Sequence, residues 1–393
     1  MSVNAMAFED AAAILTSLAQ QATGQAAQAV TDLSSYISVG QQTLRQGYDP
    51  LNIGISQMVS KTIFAYRPYS GALASLDRDA NEWGAITRKV NAINQPVESE
   101  GSYALVDGQH SPDMFEVRKP KLWQSNFYGY DVWADHVSVT RKQLKNAVLN
   151  PAEMGRLMDL ILGTKSNEME ISRVAFRRAT LANMIAAVVA LNNTAQVRHL
   201  LTEYNAAAGL SLTTQTVMQP ANYAPFIRWA YAQIAKVSDL LEEPSATYHL
   251  NPSAGTILRH TPKADQRLYV YSGALHDIDA QVLATTFNED RVKLPPVTES
   301  VNFWQSPDSP QEINIKPAYI DATGAVVANP AAQNVEAIFA VLLDRDAVGV
   351  NYYDQSVDVS PYEARGQYYN YCYHDGHRYY NDVTENAVVF LMD

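Results

Sequence analysis

Hydrophobic positions fall on different periods along this chain. Phe8, Ala11, Ala12, Leu15 and Leu18 recur at helical spacing, and Ile14 and Ala19 widen the stripe. Residues 1–48 are rich in Ala, Gln, Ser and Thr and lack proline before Pro50, so they predict one or two amphipathic helices. A segment of this kind serves as a docking arm or as a free tail. From Leu51 to Val97 the pattern is mixed and loop-like. Beyond it the period changes to two. Phe115 and Val117 alternate with charged residues, as do Val137 and Val139, and Phe127, Tyr128, Tyr130, Val132 and Trp133 give an aromatic strand between them. "QHSPD" and "QSNFYG" supply turn residues. Ser102–Thr140 thus predicts hairpin-like extended chain whose aromatic side chains need a covering surface, from the same chain or a neighbour.

The next pattern is strongly helical. Asn150 suits an N-cap, Pro151 the first helical position, and Glu153 the capping-box position. Ile171, Val174, Ala175, Ala182, Ile185 and Val189 follow helical spacing, with Lys165, Glu168, Glu170, Arg173 and Arg177 on the other face. Unbroken, residues 150–192 would span about 60 Å. Gly163–Asn167 is where a kink or division is expected.

The second half reads as α/β in texture. "FIRWAYAQIAKVSDLLEE" predicts an amphipathic helix stopped by Pro244. "ATYHLNPSAGTILRH" predicts strand, turn and helix start; "LHDIDAQVLATTFNEDRV" a helix; "KLPPVTESVNFW" extended chain. "NVEAIFAVLLDRDAVGVNYYD" is an apolar strand of the buried kind with a turn at Asp344–Asp346. At the end, Tyr369, Tyr371 and Tyr373 alternate with Asn370, Cys372 and His374, and seven tyrosines lie between Pro361 and Tyr380.

Composition narrows the function. At 393 residues, a prior of roughly 150 residues per domain gives two or three domains. With 47% hydrophobic and 18% charged residues the chain is globular. A net charge of −12 argues against general binding to nucleic acid phosphates. Cys372 is the single cysteine, so there is no intrachain disulfide and no cysteine cluster for zinc. Glu9 and Asp10 sit where a signal peptide carries positive charge, and no stretch of about 18 apolar residues is evident, so a chain made in the cytosol, without a membrane span, is expected.

Chemical motifs are sparse. The common phosphate-binding, nucleophile-elbow and zinc-protease patterns do not occur. The sharpest local cluster is "HDGHRYYND", where His374, Asp375, His377 and Asp382 could hold a metal; a hairpin turn at Asp375–Gly376 explains the same residues without one. Arg173, Arg177 and Arg178 form a basic cluster that suits phosphate, or acidic partners on another subunit or the same helix. "VRKPK" at Val117–Lys121 suits an acidic neighbour or DNA. Tyrosine is favoured on surfaces that are wet before assembly and dry after it. The terminal tyrosines therefore point to lattice contacts, with a tyrosine-heavy core as the competing reading.

The order of features resembles the major capsid proteins of tailed bacteriophages, with the Hong Kong 97-type fold. The motif carried by Arg365, Gly366, Tyr368, Asn370, Tyr371, Tyr373 and His374, followed by Asn386, Ala387, Val388 and Phe390, is similar to the end of the major head protein of phi29-like podoviruses. Val282, Leu283, Ala284, Phe287, Asn288 and Arg291 add a second similar stretch. The long N-terminal segment is unlike that group.

The resemblance implies an α+β capsid fold. Residues 1–50 would be an N-terminal helical arm. A peripheral domain at 51–225 would carry the extended loop (98–140) and spine helix (150–192). An axial domain at 226–345 would follow, and strands in 346–393 would return to the peripheral domain. It implies a non-enzymatic shell protein, without cofactor or metal, that forms hexamers and pentamers of an icosahedral or prolate head around double-stranded DNA. It also implies scaffolding and portal partners, no sequence-specific DNA contact, no membrane, and assembly in the bacterial cytoplasm. Trp123, Phe127, Tyr130, Trp133, Arg173, Arg177 and Arg178 are the expected subunit-interface residues. Three alternatives stand: an encapsulin-like nanocompartment shell, a non-catalytic binding protein, and a metal-dependent hydrolase using His374 and His377.

Overall fold

The computed structural model describes residues 8–23, 30–46, 48, 55, 71–78, 87–94, 119–127, 131–158, 164–281, 297–327 and 330–393. Two sheets organise these residues. The first has five strands in the order β4 (Val197–His199), β14 (Ala387–Leu391), β11 (Ile338–Asp344), β5 (Gln266–Tyr271) and β6 (Val297–Val301). Its outer pairs are parallel and its inner pairs antiparallel. The apolar runs of β11 and β14 exist because both faces are covered. Val341, Leu343, Val389 and Leu391 face helix α5 (Thr164–Leu191). Ala340, Leu342, Val388 and Phe390 face the opposite layer, made by α6 (Leu200–Ala208), α8 (Pro220–Leu240) and α9 (Ser272–Gln281). A short α7 (Thr214–Val217) precedes α8. Gly209, at φ 65°, closes α6 in the left-handed conformation that glycine adopts at least cost.

The second sheet has the order β12 (Val348–Val359), β13 (Tyr368–Asn381) and β3 (Asp131–Thr140), all antiparallel. One of its faces carries Val139, Val357, Tyr369, Tyr371 and Tyr373. Against these pack α1 (Phe8–Thr23), α2 (Leu33–Arg45), α3 (Arg141–Leu149) and α4 (Pro151–Met158). The N-terminal segment is therefore part of the subunit's own core: Leu15, Leu18, Tyr36 and Val39 are buried under the sheet. Thr140 caps α3 through a reciprocal capping box with Gln143. Asn150 caps α4 as expected, its Oδ1 accepting from the Ala152 amide at 3.1 Å.

Several expectations are corrected. Of residues 150–192, the structure describes helix at Pro151–Met158 and Thr164–Leu191, and residues 159–163 lie outside the described residues. Asp375 and Gly376 are not a hairpin turn but the middle of β13. A Cβ on Gly376 would lie 2.7 Å from the Tyr353 carbonyl oxygen, so the glycine serves a close strand approach beside an irregularity at Tyr353–Ser356. "ATYHLNPSAGTILRH" forms turns with one isolated bridge, Ser245–Arg259. The closing strands divide between the two sheets, β13 joining β3 and β14 joining β11. Asn167–Leu191 is, by length and composition, a helix that could cross a membrane. Here it packs on the five-stranded sheet and carries buried ion pairs. Phe115, Val117 and the stretch Val282–Arg291 lie outside the described residues.

Candidate subunit-interface surfaces

The expected interface residues separate into buried ties and a partly open aromatic groove. Arg173 is 7% exposed and its guanidinium forks onto Asp375, with Nε donating to Oδ2 at 2.9 Å and Nη2 to Oδ1 at 3.0 Å. Arg177 is 2% exposed. Its Nε and Nη2 donate to the two Asp77 oxygens at 2.7 and 2.6 Å, and its Nη1 donates to Glu170 Oε1 at 3.0 Å. Burial opposes the Arg177 charge, but the Asp77 and Glu170 carboxylates outweigh it and hold its pKa above the usual guanidinium value. Tyr352 lies under both guanidinium groups, 4.6 Å from Arg173 and 5.8 Å from Arg177. These two arginines thus bind α5 to the rest of its own chain, with Glu170 from the same helix and Asp77 and Asp375 from distant segments. Of the partners the sequence allowed, the described ones lie within the chain, Glu170 being on the same helix. Glu170, Arg173 and Arg177 on the polar face are buried with their charges paired, while Glu168 is exposed and Ile171, read as core, is 62% exposed.

Arg178 points elsewhere. Its Nη1 donates to the Phe303 carbonyl at 2.7 Å, and its guanidinium stacks on the Phe303 ring at 3.4 Å. Trp133, half-buried on β3, stacks against His377 with ring centroids 3.8 Å apart and meets Phe176 edge-on at 5.5 Å. Phe127, on β2 (Leu122–Phe127), lies 5.5 Å from the Tyr380 ring. Trp123 donates from Nε1 to Ser125 Oγ at 3.1 Å, and a Cβ on Gly324 would touch its ring at 3.0 Å. Gly324 lies in the hairpin of β8 (Tyr319–Ile320) and β9 (Val326–Val327). Tyr130 lies outside the described residues.

Strand β2 pairs with β1 (Thr87–Ala92), a strand within the stretch whose pattern is loop-like. Lys89 on β1 ties this ribbon to the body, its Nζ 3.0 Å from Asp382 Oδ2 and 3.1 Å from Glu385 Oε1. Burial disfavours the Lys89 charge, but the two carboxylates reverse that and raise its pKa. Glu385 is raised by its own burial, against the pull of Lys89 and Arg259. An alternating strand this short, with Asn91 and Ser125 inward and Val90 and Leu122 outward, carries no legible hydrophobic pattern.

The metal reading fares differently. His377 is packed between Trp133 and Phe176, Asp375 is bound by Arg173, and His374 faces Asp358 at 3.9 Å. Among the described residues no group of three or more His, Cys, Asp or Glu side chains could hold a metal ion. The tyrosines at 369, 371 and 373 are core, which corrects their reading as lattice contacts.

A long paired helix, a buried mixed sheet, a tyrosine-lined sheet and the β1–β2 ribbon make up the described part of the subunit. The family model for Phi29-like phage major capsid proteins matches residues 12–391. The chain belongs to that family. As a major capsid protein it is a structural component of the virion and assembles into a shell. Solved structures agree at the level of fold. A capsid structure of Staphylococcus phage Andhra is similar with a TM-score of 0.55 and 10% identity, covering 84% of this chain and 86% of that one. A structure titled for the head fiber and inner core protein gp22 of native bacteriophage P68 is similar with a TM-score of 0.55 and 10% identity, covering 84% and 87%. No curated protein matches the capsid protein. Its α+β capsid fold is thereby placed, and neither the binding-protein nor the hydrolase reading is favoured.

Proposed function

We propose that this capsid protein forms hexamers and pentamers that close into an icosahedral or prolate head around double-stranded DNA. The match of the family model to nearly the whole chain carries this reading. The five-stranded sheet with α6, α8 and α9 is read as the axial region near ring centres. The three-stranded sheet, the N-terminal helices and α5 are read as the peripheral region. Of residues 98–140, β3 (Asp131–Thr140) belongs to the subunit's own three-stranded sheet, so the extended loop laid on the adjacent subunit is read as the part before it. A net charge of −12 fits a wall that encloses DNA without gripping its phosphates. Many modest contacts per subunit suffice, because ring closure makes each further contact intramolecular.

Assembly is proposed to take place in the bacterial cytoplasm with a scaffolding protein and a portal. Co-expression with the scaffolding protein, followed by sedimentation, tests this. Fast-sedimenting particles of one size are expected. A chain that stays monomeric in that co-expression contradicts the reading.

A further inference from the structure

Lys89, on strand β1 of the ribbon, reaches into a buried knot in the body. The knot is built on the turn Asp382–Asn386 between β13 and β14, where Val383, Thr384 and Asn386 are each at most 2% exposed. Glu385 Oε1 lies 3.1 Å from Lys89 Nζ and 3.1 Å from Arg259 Nη2, so one carboxylate oxygen joins a cation of the ribbon to a cation of the body. Asp382 Oδ2 stands 3.0 Å from the same Nζ, and the Asp346 carbonyl accepts from it at 2.7 Å. The other Asp382 oxygen is taken inside the turn, accepting from the Thr384 amide at 3.0 Å and the Thr384 hydroxyl at 2.6 Å.

The charged groups facing Glu385 come from each element packed on it: Lys89 from β1, Arg259 from the stretch before β5, Asp382 from its own turn and Asp344 from β11. Asp344 is itself held by the Thr261 hydroxyl at 2.6 Å and the Asp346 amide at 2.8 Å. Beyond Asn386 stands His249, its ring between Asn386 Oδ1 and the Ile257 carbonyl. Burial lowers the His249 pKa below the usual imidazole value, so the ring is neutral at neutral pH and adds no charge. Uncharged ties also hold the ribbon. The Asn94 amide donates to the Thr256 carbonyl at 2.8 Å, Phe127 lies against Tyr380, and Trp123 lies over Gly324.

We infer that Glu385, set between Lys89 and Arg259, is an acid-released latch that holds the β1–β2 ribbon against the body. The device lies within one subunit and does not depend on the shell reading. A proton on Glu385 ends both ion pairs at once and leaves Asp382 and one carbonyl to hold Lys89. The Lys89 charge favours the ionised carboxylate, so a released ribbon lets Glu385 bind its proton more tightly, and by linkage acid favours release. Arg259, Asp344 and the turn's own backbone stay in place, so release changes the charge beside Glu385 more than its burial. Burial sets the Glu385 pKa above the usual carboxylate value, against the pull of Lys89 and Arg259, which brings the step into mild acid. For the body the sign is opposite. A buried, ionised Glu385 costs stability that its proton restores, so the body keeps its fold while the ribbon is freed.

Hydrogen exchange of the full-length free subunit tests this, at about pH 7.5 and about pH 5, with rates corrected for the pH dependence of intrinsic exchange. Amides of 87–92 and 122–127 are expected to lose protection by roughly five-fold or more in acid, while those of β11 and β14 keep theirs. Glu385→Gln, the neutral isostere, is expected to show the freed ribbon already at the higher pH, with no further change in acid. Lys89→Met removes the ribbon's cation, leaves Glu385 and Arg259 paired, and is expected to do the same. Equal ribbon protection at both pH values in the wild-type chain overturns the inference, and that measurement needs no variant. A pH dependence that persists in both Glu385→Gln and Lys89→Met belongs to another group and also overturns it. Loss of protection in β11 and β14 together with the ribbon is unfolding of the body, and overturns it as well.

Discussion

Arg173 and Asp375 stand 202 positions apart and form a two-pronged ion pair at 2.9 and 3.0 Å, buried between helix α5 and the middle of β13. The pair fixes the helix against the strand in one register. Removing one partner leaves an uncompensated buried charge, a loss of about 3–5 kcal/mol. Asp375→Asn and Arg173→Met are each expected to fall in that range by urea denaturation. The double variant Arg173→Met/Asp375→Leu is expected to recover most of the loss, because apolar groups of similar volume replace both charges. Additive losses in that cycle would show that the two residues are not coupled.

The N-terminal helices close the tyrosine face of the three-stranded sheet. Leu15→Ala and Leu18→Ala each remove a fully buried side chain that packs on that core. Each is expected to cost about 2–5 kcal/mol, measured as a lowered urea midpoint of the free subunit. A truncation starting at residue 46 is expected to give insoluble or dye-binding protein. A truncated chain that melts like the full one would mean that the helices do not cover the sheet.

Tyr371 has its pKa pushed up by burial, with neighbouring Tyr373 and Tyr369 adding to the effect, and burial also raises Tyr36, Tyr269 and Tyr373. The sign follows from linkage. A folded-state pKa above the unfolded value near 10 gives stability that is full below pH 10 and is lost as pH rises through and beyond it. In an alkaline titration these tyrosines are expected to ionise late, together, and in step with loss of the far-ultraviolet dichroism. Smooth ionisation of every tyrosine near pH 10 in a still-folded subunit would contradict their burial.

Gly376 sits where a side chain would meet the Tyr353 carbonyl at 2.7 Å and the Tyr353 ring at 2.9 Å. A backbone oxygen in a paired strand cannot move aside. Gly376→Val is expected to destabilise the subunit by about 1–3 kcal/mol, read as a lower urea midpoint. No change in the midpoint would mean that strands β12 and β13 separate there.

Part of this molecule was legible in the sequence, for physical reasons. β11 and β14 announced themselves because a strand covered on both faces is apolar at every position. The helix around Ile185 announced itself by period, and the start at Asn150–Pro151 by cap chemistry. The ion pairs of Arg173 and Arg177 were hidden, because their partners at Asp375 and Asp77 come from far along the chain and nothing local marks them. The same distance disguised the tyrosines of β13: alternation shows that one face is apolar, not whether the cover is α1 and α2 of the same chain or a neighbour. Asp375–Gly376 misled because a two-residue turn signal and a strand glycine under a close carbonyl look alike in one dimension. The cavities beside Phe176 were unreadable, since their walls draw on β2 and β3, on α5, on the 303–326 region and on β13.

Electron microscopy of the particles formed with the scaffolding protein tests the central claim most directly. Closed heads of uniform size, with six-fold and five-fold clusters of one subunit in their walls, are the predicted result. Monomers, open aggregates, or particles whose walls lack this chain would contradict it.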